Sequence, residues 1–156
     1  RLVVDVRGLG MSGWEAGARL RELGVQAEMC DICRVVLIAT VMDGRERLEQ
    51  LALAFGRLAA ERKANPFSAG IGGFPEQGAV AMPLRQAWLS TACEVPLEDA
   101  AGCVSSEPFG AYPPGIPLCM PGEIITVGAI EMVREAQALG GGLFGVRRGR
   151  VMVVDR

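Results

Sequence analysis

No histidine occurs among the 156 residues, and Lys63 is the only lysine. The first absence removes the commonest acid–base group at neutral pH and the commonest metal ligand. Chemistry completed within the chain would have to run on carboxylates, thiols, arginine or tyrosine. A dense basic run is also missing, and 16 basic against 18 acidic residues give a formal charge of −2. Nucleic acid is therefore not the expected partner, because phosphate binding needs clustered Lys or Arg side chains. No apolar run reaches the ~18–20 residues that cross a bilayer, and no signal-peptide pattern is present, so no membrane partner is expected. An initiator methionine is absent too: Arg1 leads directly into the strand-like Leu2-Val3-Val4-Asp5-Val6, which marks the chain as an expected piece of something longer.

What is present allows a real core, since half of the residues are apolar. The length suits one ordinary domain or two small subdomains. The five cysteines, Cys30, Cys33, Cys93, Cys103 and Cys119, are odd in number and lie mostly in apolar surroundings. Reduced thiols in a cytoplasmic protein fit this better than a disulfide framework.

The pattern predicts an α+β fold in two parts. Residues 1–64 form a β-α-β-β-α subdomain: a strand at 2–6, a helix capped by Ser12 with Glu15 at N3 and ended by Gly24, a strand at 25–29, and a central strand at 35–41. A second helix follows the Asp43/Glu46 cap pair and carries Leu48, Leu51, Ala52, Phe55, Leu58 and Ala59 on one face. Residues 65–81, glycine-rich with Pro66 and Pro75, read as a connector partly packed through Phe67, Ile71 and Phe74. Residues 82–156 form the second α+β subdomain. Met82-Pro83 opens a short helix, Thr126 caps another that Gly140-Gly141-Gly142 closes, and residues 143–146 and 151–154 are expected to pair as a hairpin across Arg147-Arg148-Gly149-Arg150.

Several residues are candidates for chemistry. Gly8, Gly10 and Gly13 follow a strand and open a helix, with Glu28 or Asp31 about twenty residues on, as in a dinucleotide fingerprint. The alternative is a tight turn with close packing, favoured because residues 35–41 follow the second strand too closely for another crossover helix. Cys30-Asp31-Ile32-Cys33 has redox or zinc spacing, but strand-like residues follow it and no further ligands are near in sequence, so incidental thiols are the simpler reading. Arg85 lies just inside the helix behind Pro83 and flanks an apolar side made by Leu84 and Trp88. It could equally lay its stem along the helix edge with its head in solvent.

The densest signal is Tyr112-Pro113-Pro114-Gly115-Ile116-Pro117-Leu118-Cys119-Met120-Pro121-Gly122-Glu123. Four prolines and two glycines forbid a helix, while the interleaved Tyr, Ile, Leu and Met favour burial, so a defined, packed, extended path is expected. Glu123 follows the rigid Pro121-Gly122 step. A carboxylate fixed there could hold a cationic substrate, orient a neighbour, or accept backbone amides in a purely structural role.

This stretch resembles the signature near the C-terminus of the pyridoxal phosphate-dependent ornithine/lysine/arginine decarboxylases. The segment from Val95-Pro96-Leu97 through Gly102, Met82-Pro83-Leu84-Arg85-Gln86-Ala87, Arg7-Gly8-Leu9-Gly10-Met11-Ser12-Gly13, Glu28-Met29 and residues 35–41 are similar to other parts of that family. Leu84 stands where a small hydroxyl residue is more usual, and Arg7 where serine is commoner. The resemblance implies the C-terminal region of an aminotransferase-like enzyme whose major domain, absent here, holds the cofactor on a lysine. It implies no catalytic, cofactor-binding or metal-binding residue within these 156, and a fragment inactive by itself. Tyr112, Glu123 and Arg85 become substrate-entrance or structural residues, and the partners implied are the missing major domain and further copies in a homo-oligomer. Two other readings stand beside it: a non-catalytic accessory domain, and a small nucleotide-binding module.

Overall fold

In the computed structural model, residues 1–65, 67 and 75–155 are described. The chain divides into two compact units, Arg1–Ile71 and Gly72–Arg156.

The first unit holds strand β1 (Leu2–Asp5), helix α1 (Gly13–Glu22), strands β2 (Met29–Cys30) and β3 (Arg34–Leu37), and helix α2 (Arg45–Ala60). These strands pair antiparallel in the order β1-β3-β2, which makes β3 the central strand. Ser12 caps α1 as the sequence implies, its hydroxyl accepting from the Glu15 amide at 3.1 Å. Gly24, at φ 83°, ends that helix region, where the Val25 amide turns back to the Leu20 carbonyl.

Three expectations fail in this unit. The strand expected at 25–29 starts only at Met29, because residues 25–27 are still completing the exit from α1. The strand expected through Val41 stops at Leu37. Asp43 does not cap α2: Gly44 is the cap, and the Asp43 carboxylate instead binds the Thr40 amide and hydroxyl. In α2, Ala54 and Leu58 are buried with Leu51 and Phe55 against the core, whereas Leu48, Ala52 and Ala59 are exposed. The core beneath is Val6, Met11, Ala16, Leu20, Cys30, Val35 and Leu37.

The second unit contains α3 (Leu84–Leu89), β4 (Ala92–Pro96), β5 (Phe109–Tyr112), β6 (Pro117–Cys119), α4 (Val127–Ala138), β7 (Gly142–Phe144) and β8 (Arg150–Val154). Thr126 caps α4 through the Ala129 amide at 3.1 Å. Ala129, Ile130, Val133 and Ala136 form its buried face, packed with Phe109, Leu118, Ile125, Val151 and Val153.

The expected C-terminal hairpin is replaced by two separate pairings. β7 pairs with β5, while β8 pairs with β4, far upstream in the chain, in a register running from Ala92 opposite Val154 to Pro96 opposite Arg150. Arg148 and Gly149, at φ 52° and 74°, do make the tight turn, bonded between Arg147 and Arg150, but the arms diverge after that single bridge. Gly145 explains the divergence: at φ 68° its α-carbon lies so close to the Pro108 carbonyl that a side chain has no room, and β7 is drawn onto β5 instead. The proline-rich stretch is likewise not one extended run. It is the hairpin joining β5 to β6, with Gly115 at φ 82° in the tip and its amide bonded to the Ala111 carbonyl at 3.0 Å.

Of the expected connector, Pro66, Ile71 and Phe74 lie outside the described residues. Residues 75–81 are paired chain: Val80 bridges Glu123, and Gly78 passes so near the Ile124 carbonyl that only glycine fits.

Candidate functional site

Short bridges build an irregular row of chain segments around Glu123. Val80 pairs with Glu123, Val104 with Ile124, and Ser105 with Val153, and β8 then pairs with β4. Glu123 therefore lies in an inner segment, its carbonyl accepting from the Ser105 amide at 2.9 Å, while the Ile124 amide donates to Ala79 at 2.9 Å. Gly122, at φ 90°, has its carbonyl held by the Ala81 and Met82 amides just before α3, and a methyl group on it would strike the Met82 carbonyl.

The Glu123 side chain turns back into this frame and is only 8% exposed. Oε2 accepts from the Met120 amide at 2.8 Å, and Oε1 from Gln77 Nε2 at 3.2 Å. Its partners are those of a turn brace, since an anion satisfied by a backbone amide fixes the loop that supplies it. Cys119 lies beside it, with Sγ donating toward the Met120 and Glu123 carbonyls at 3.7 and 3.9 Å. Burial first, and the Glu123 charge second, push this thiol up to about 11, so it remains protonated at neutral pH.

Gln77 links Glu123 to a shallow depression of about 220 Å³, lined also by Pro75, Ile116, Pro117 and Leu118. The surface offers apolar walls and one amide side chain. Tyr112 and Glu123 do not meet: Tyr112 lies beyond the β5–β6 pairing at the tip, 62% exposed, with its ring over Gly115, whereas Glu123 follows the other end of β6. Arg85 is exposed on α3 and has no ion pair among the described residues. Gln77 was missed in the sequence because nothing local marks it; only its neighbour Gly78, needed for close strand approach, hints that residues 75–81 pair.

The other motifs resolve into packing. Gly13 lies against the Asp31 and Arg34 carbonyls, and Gly10 against Asn65, leaving no cradle in the glycine turn. The Gly13 amide already donates to Ile32, and among the described residues the sheet has no parallel β-α-β unit for a dinucleotide. Cys30 and Cys33 are buried, and burial raises both thiols. The Asp31 carboxylate between them accepts from the Cys33 and Arg34 amides, each at 2.8 Å. Among the described residues no group of three His, Cys, Asp or Glu side chains is disposed to hold a metal ion. Arg147 and Arg150 pair with Glu107 and Glu94 at 3.5 Å.

Residues 76–140, which contain the Glu123 frame, Gln77 and the β5–β6 hairpin, match the family described as Orn/Lys/Arg decarboxylase, C-terminal domain. Over this stretch the chain is similar to the C-terminal domain of the Orn/Lys/Arg decarboxylases. Similarity to curated proteins extends upstream of residue 76. The arginine decarboxylase of Halalkalibacterium halodurans is 32% identical over 146 residues, covering 90% of this chain and 29% of that protein. That of Bacillus anthracis is 32% identical over 139 residues, 86% of this chain and 28% of that one, and that of Bacillus subtilis 30% over 129 residues, 81% and 26%. The chain thus spans less than a third of these relatives.

Among solved structures, the constitutive lysine decarboxylase of E. coli superimposes with a TM-score of 0.70 at 17% identity, over 92% of this chain and 28% of that one. The Francisella novicida lysine decarboxylase gives 0.69 at 14%, with the same coverage. At such identities the likeness is one of fold.

The residues in hand do not fit pyridoxal phosphate. Lys63, the only lysine, has its Nζ bound to Glu15 at 2.7 Å, and the residue is exposed beyond the end of α2. A Schiff base there would have to break that pair, and the neighbouring glycine turn is filled by the chain at Lys63 and Asn65.

Proposed function

We propose that this chain is the C-terminal part of a cytoplasmic, homo-oligomeric, pyridoxal phosphate-dependent decarboxylase that removes the α-carboxylate of a basic L-amino acid as CO2. The observation that carries the reading is the match of residues 76–140 to the decarboxylase C-terminal domain. Arginine is the first substrate to test, because the curated relatives bear that name. The cofactor would be held by the part of the parent outside this chain.

Within that enzyme, residues 112–123 brace a wall of the substrate entrance. Glu123 fixes the Met120 turn, Gln77 presents an amide beside it, and Ile116, Pro117 and Leu118 offer apolar contact to side-chain methylenes. The exposed face of α3, with Leu84, Trp88 and Leu89, packs on the cofactor-bearing part. That same face would also suit a non-catalytic interaction domain.

CO2 release separates the two readings. Full-length protein loaded with pyridoxal phosphate and given L-arginine, L-lysine or L-ornithine is expected to release CO2 from at least one, and the 156-residue chain alone from none. A cofactor-loaded full-length protein inert toward all three would overturn the enzyme reading in favour of the accessory one.

A further inference from the structure

The connection between β3 and α2 carries an apolar surface that its own unit leaves uncovered. Val41 is 100% exposed and Met42 85%, and Ile38 and Leu48 on either side are about half exposed. The turn is not a loose loop. Asp43 Oδ2 accepts from the Thr40 amide at 2.8 Å and hydroxyl at 3.0 Å, Thr40 Oγ accepts from the Met42 amide at 3.2 Å, and the Asp43 amide returns to the Thr40 carbonyl at 3.1 Å. Arg47 holds the other carboxylate oxygen at 3.4 Å. A mobile loop could fold Val41 and Met42 back onto the sheet, whereas this bonded turn keeps both side chains directed away from it. Rigid presentation of apolar side chains lowers the ordering cost of a contact.

We infer that the Thr40–Asp43 turn is a docking prong whose socket lies in the remainder of the parent polypeptide. This rests on reading the chain as part of a longer decarboxylase. Two observations select that occupant. The arginine decarboxylases matched above have more than two thirds of their length beyond the matched stretch, so a large body of chain is available in cis. Four aliphatic side chains also fall well short of the ~800 Å² per partner that a stable dimer buries, whereas a tethered segment meets the prong at an effective concentration near millimolar and needs far less area.

The experiment places a photo-crosslinking residue in full-length protein, Val41→p-benzoylphenylalanine, with Met42→p-benzoylphenylalanine as a second variant. Both positions are exposed, so neither substitution disturbs the core. Irradiation of a mixture of unlabelled and nitrogen-15-labelled protein is followed by peptide mapping. The expected result is a link from position 41 or 42 to a peptide outside residues 1–156, with both peptides carrying the same isotope. Mixed-isotope links, links confined to residues 1–156, or no link at either position would overturn the inference. Borohydride reduction of the same protein reports separately on a Schiff-base lysine, so loss of the decarboxylase reading is distinguishable from loss of the docking contact.

Discussion

At the scale of single residues, Glu123 is where chemistry and architecture compete for one carboxylate. Both of its oxygens are already accepting, from Met120 and Gln77. Glu123→Gln keeps one oxygen for the Met120 amide but replaces an ionised acceptor by a neutral one and obliges the Gln77 amide to turn and offer its oxygen, a loss of about 0.5–1.5 kcal/mol. A lowered urea midpoint of the 156-residue chain is therefore expected and, under the proposed decarboxylase reading, a raised KM in the full-length protein that the stability loss does not account for. An unchanged midpoint with unchanged kcat/KM would remove the role. Cys119 gives a pH prediction of definite sign. Its thiol titrates near 9.0 in the unfolded chain and about 11 when folded, so the native state holds its proton longer. The stability from this protonation is fully present below pH 9 and is lost as pH rises toward 11. Cys119→Ala is expected to lower stability at pH 8 through lost packing, yet to flatten the decline between pH 9 and 11 in unfolding midpoints. The rigidity of the Glu123 position was legible from Pro121-Gly122. Its partners were not, because Gln77 approaches from 46 residues away through a pairing that no local pattern encodes.

At the scale of elements, glycines decide which segments may approach. Gly122 and Gly102 both have positive φ, 90° and 81°, but a methyl group on Gly122 meets the Met82 carbonyl while one on Gly102 meets nothing within 4 Å. Gly102→Ala should cost about 1–2 kcal/mol for the left-handed backbone alone. Gly122→Ala should cost clearly more and should unseat the start of α3, read by urea unfolding and by hydrogen exchange at Ala81 and Met82. Equal losses would mean that the close approach at Gly122 contributes nothing. The same elements show where sequence patterns reach and where they end. Caps at Ser12 and Thr126 were readable because a hydroxyl and an amide three residues on make a local bond. The turn at Arg148-Gly149 was readable for the same reason, but the partners of its two arms were not. β7 and β8 pair with β5 and β4, and strand choice of that kind depends on packing against Phe109 and Val151, which hairpin spacing does not report. The strand signal at 35–41 overran because Val41 resembles a buried residue in composition, while the Thr40–Asp43 bonds turn it outward.

At the scale of the whole molecule, each unit has its own core, and each leaves large apolar side chains uncovered. In the second unit Leu84, Trp88 and Leu89 share the short helix α3 and face out while Ala87 is its buried residue, the reverse of what an amphipathic reading of Leu84 and Trp88 would predict for an isolated domain. Trp88 is 57% exposed, so in the 156-residue chain Trp88→Ser should shift stability by less than about 1 kcal/mol, as surface substitutions generally do. In the full-length protein the same indole is expected to be covered, and a buried interface tryptophan typically costs about 2 kcal/mol or more when truncated. The discriminating quantity is thus the difference between two measurements of one substitution. A midpoint that barely moves in the short chain and falls substantially in the full-length protein assigns α3 to the seam between this region and the rest of the parent. Equal small shifts in both would return Trp88 to the solvent and leave α3 without that role.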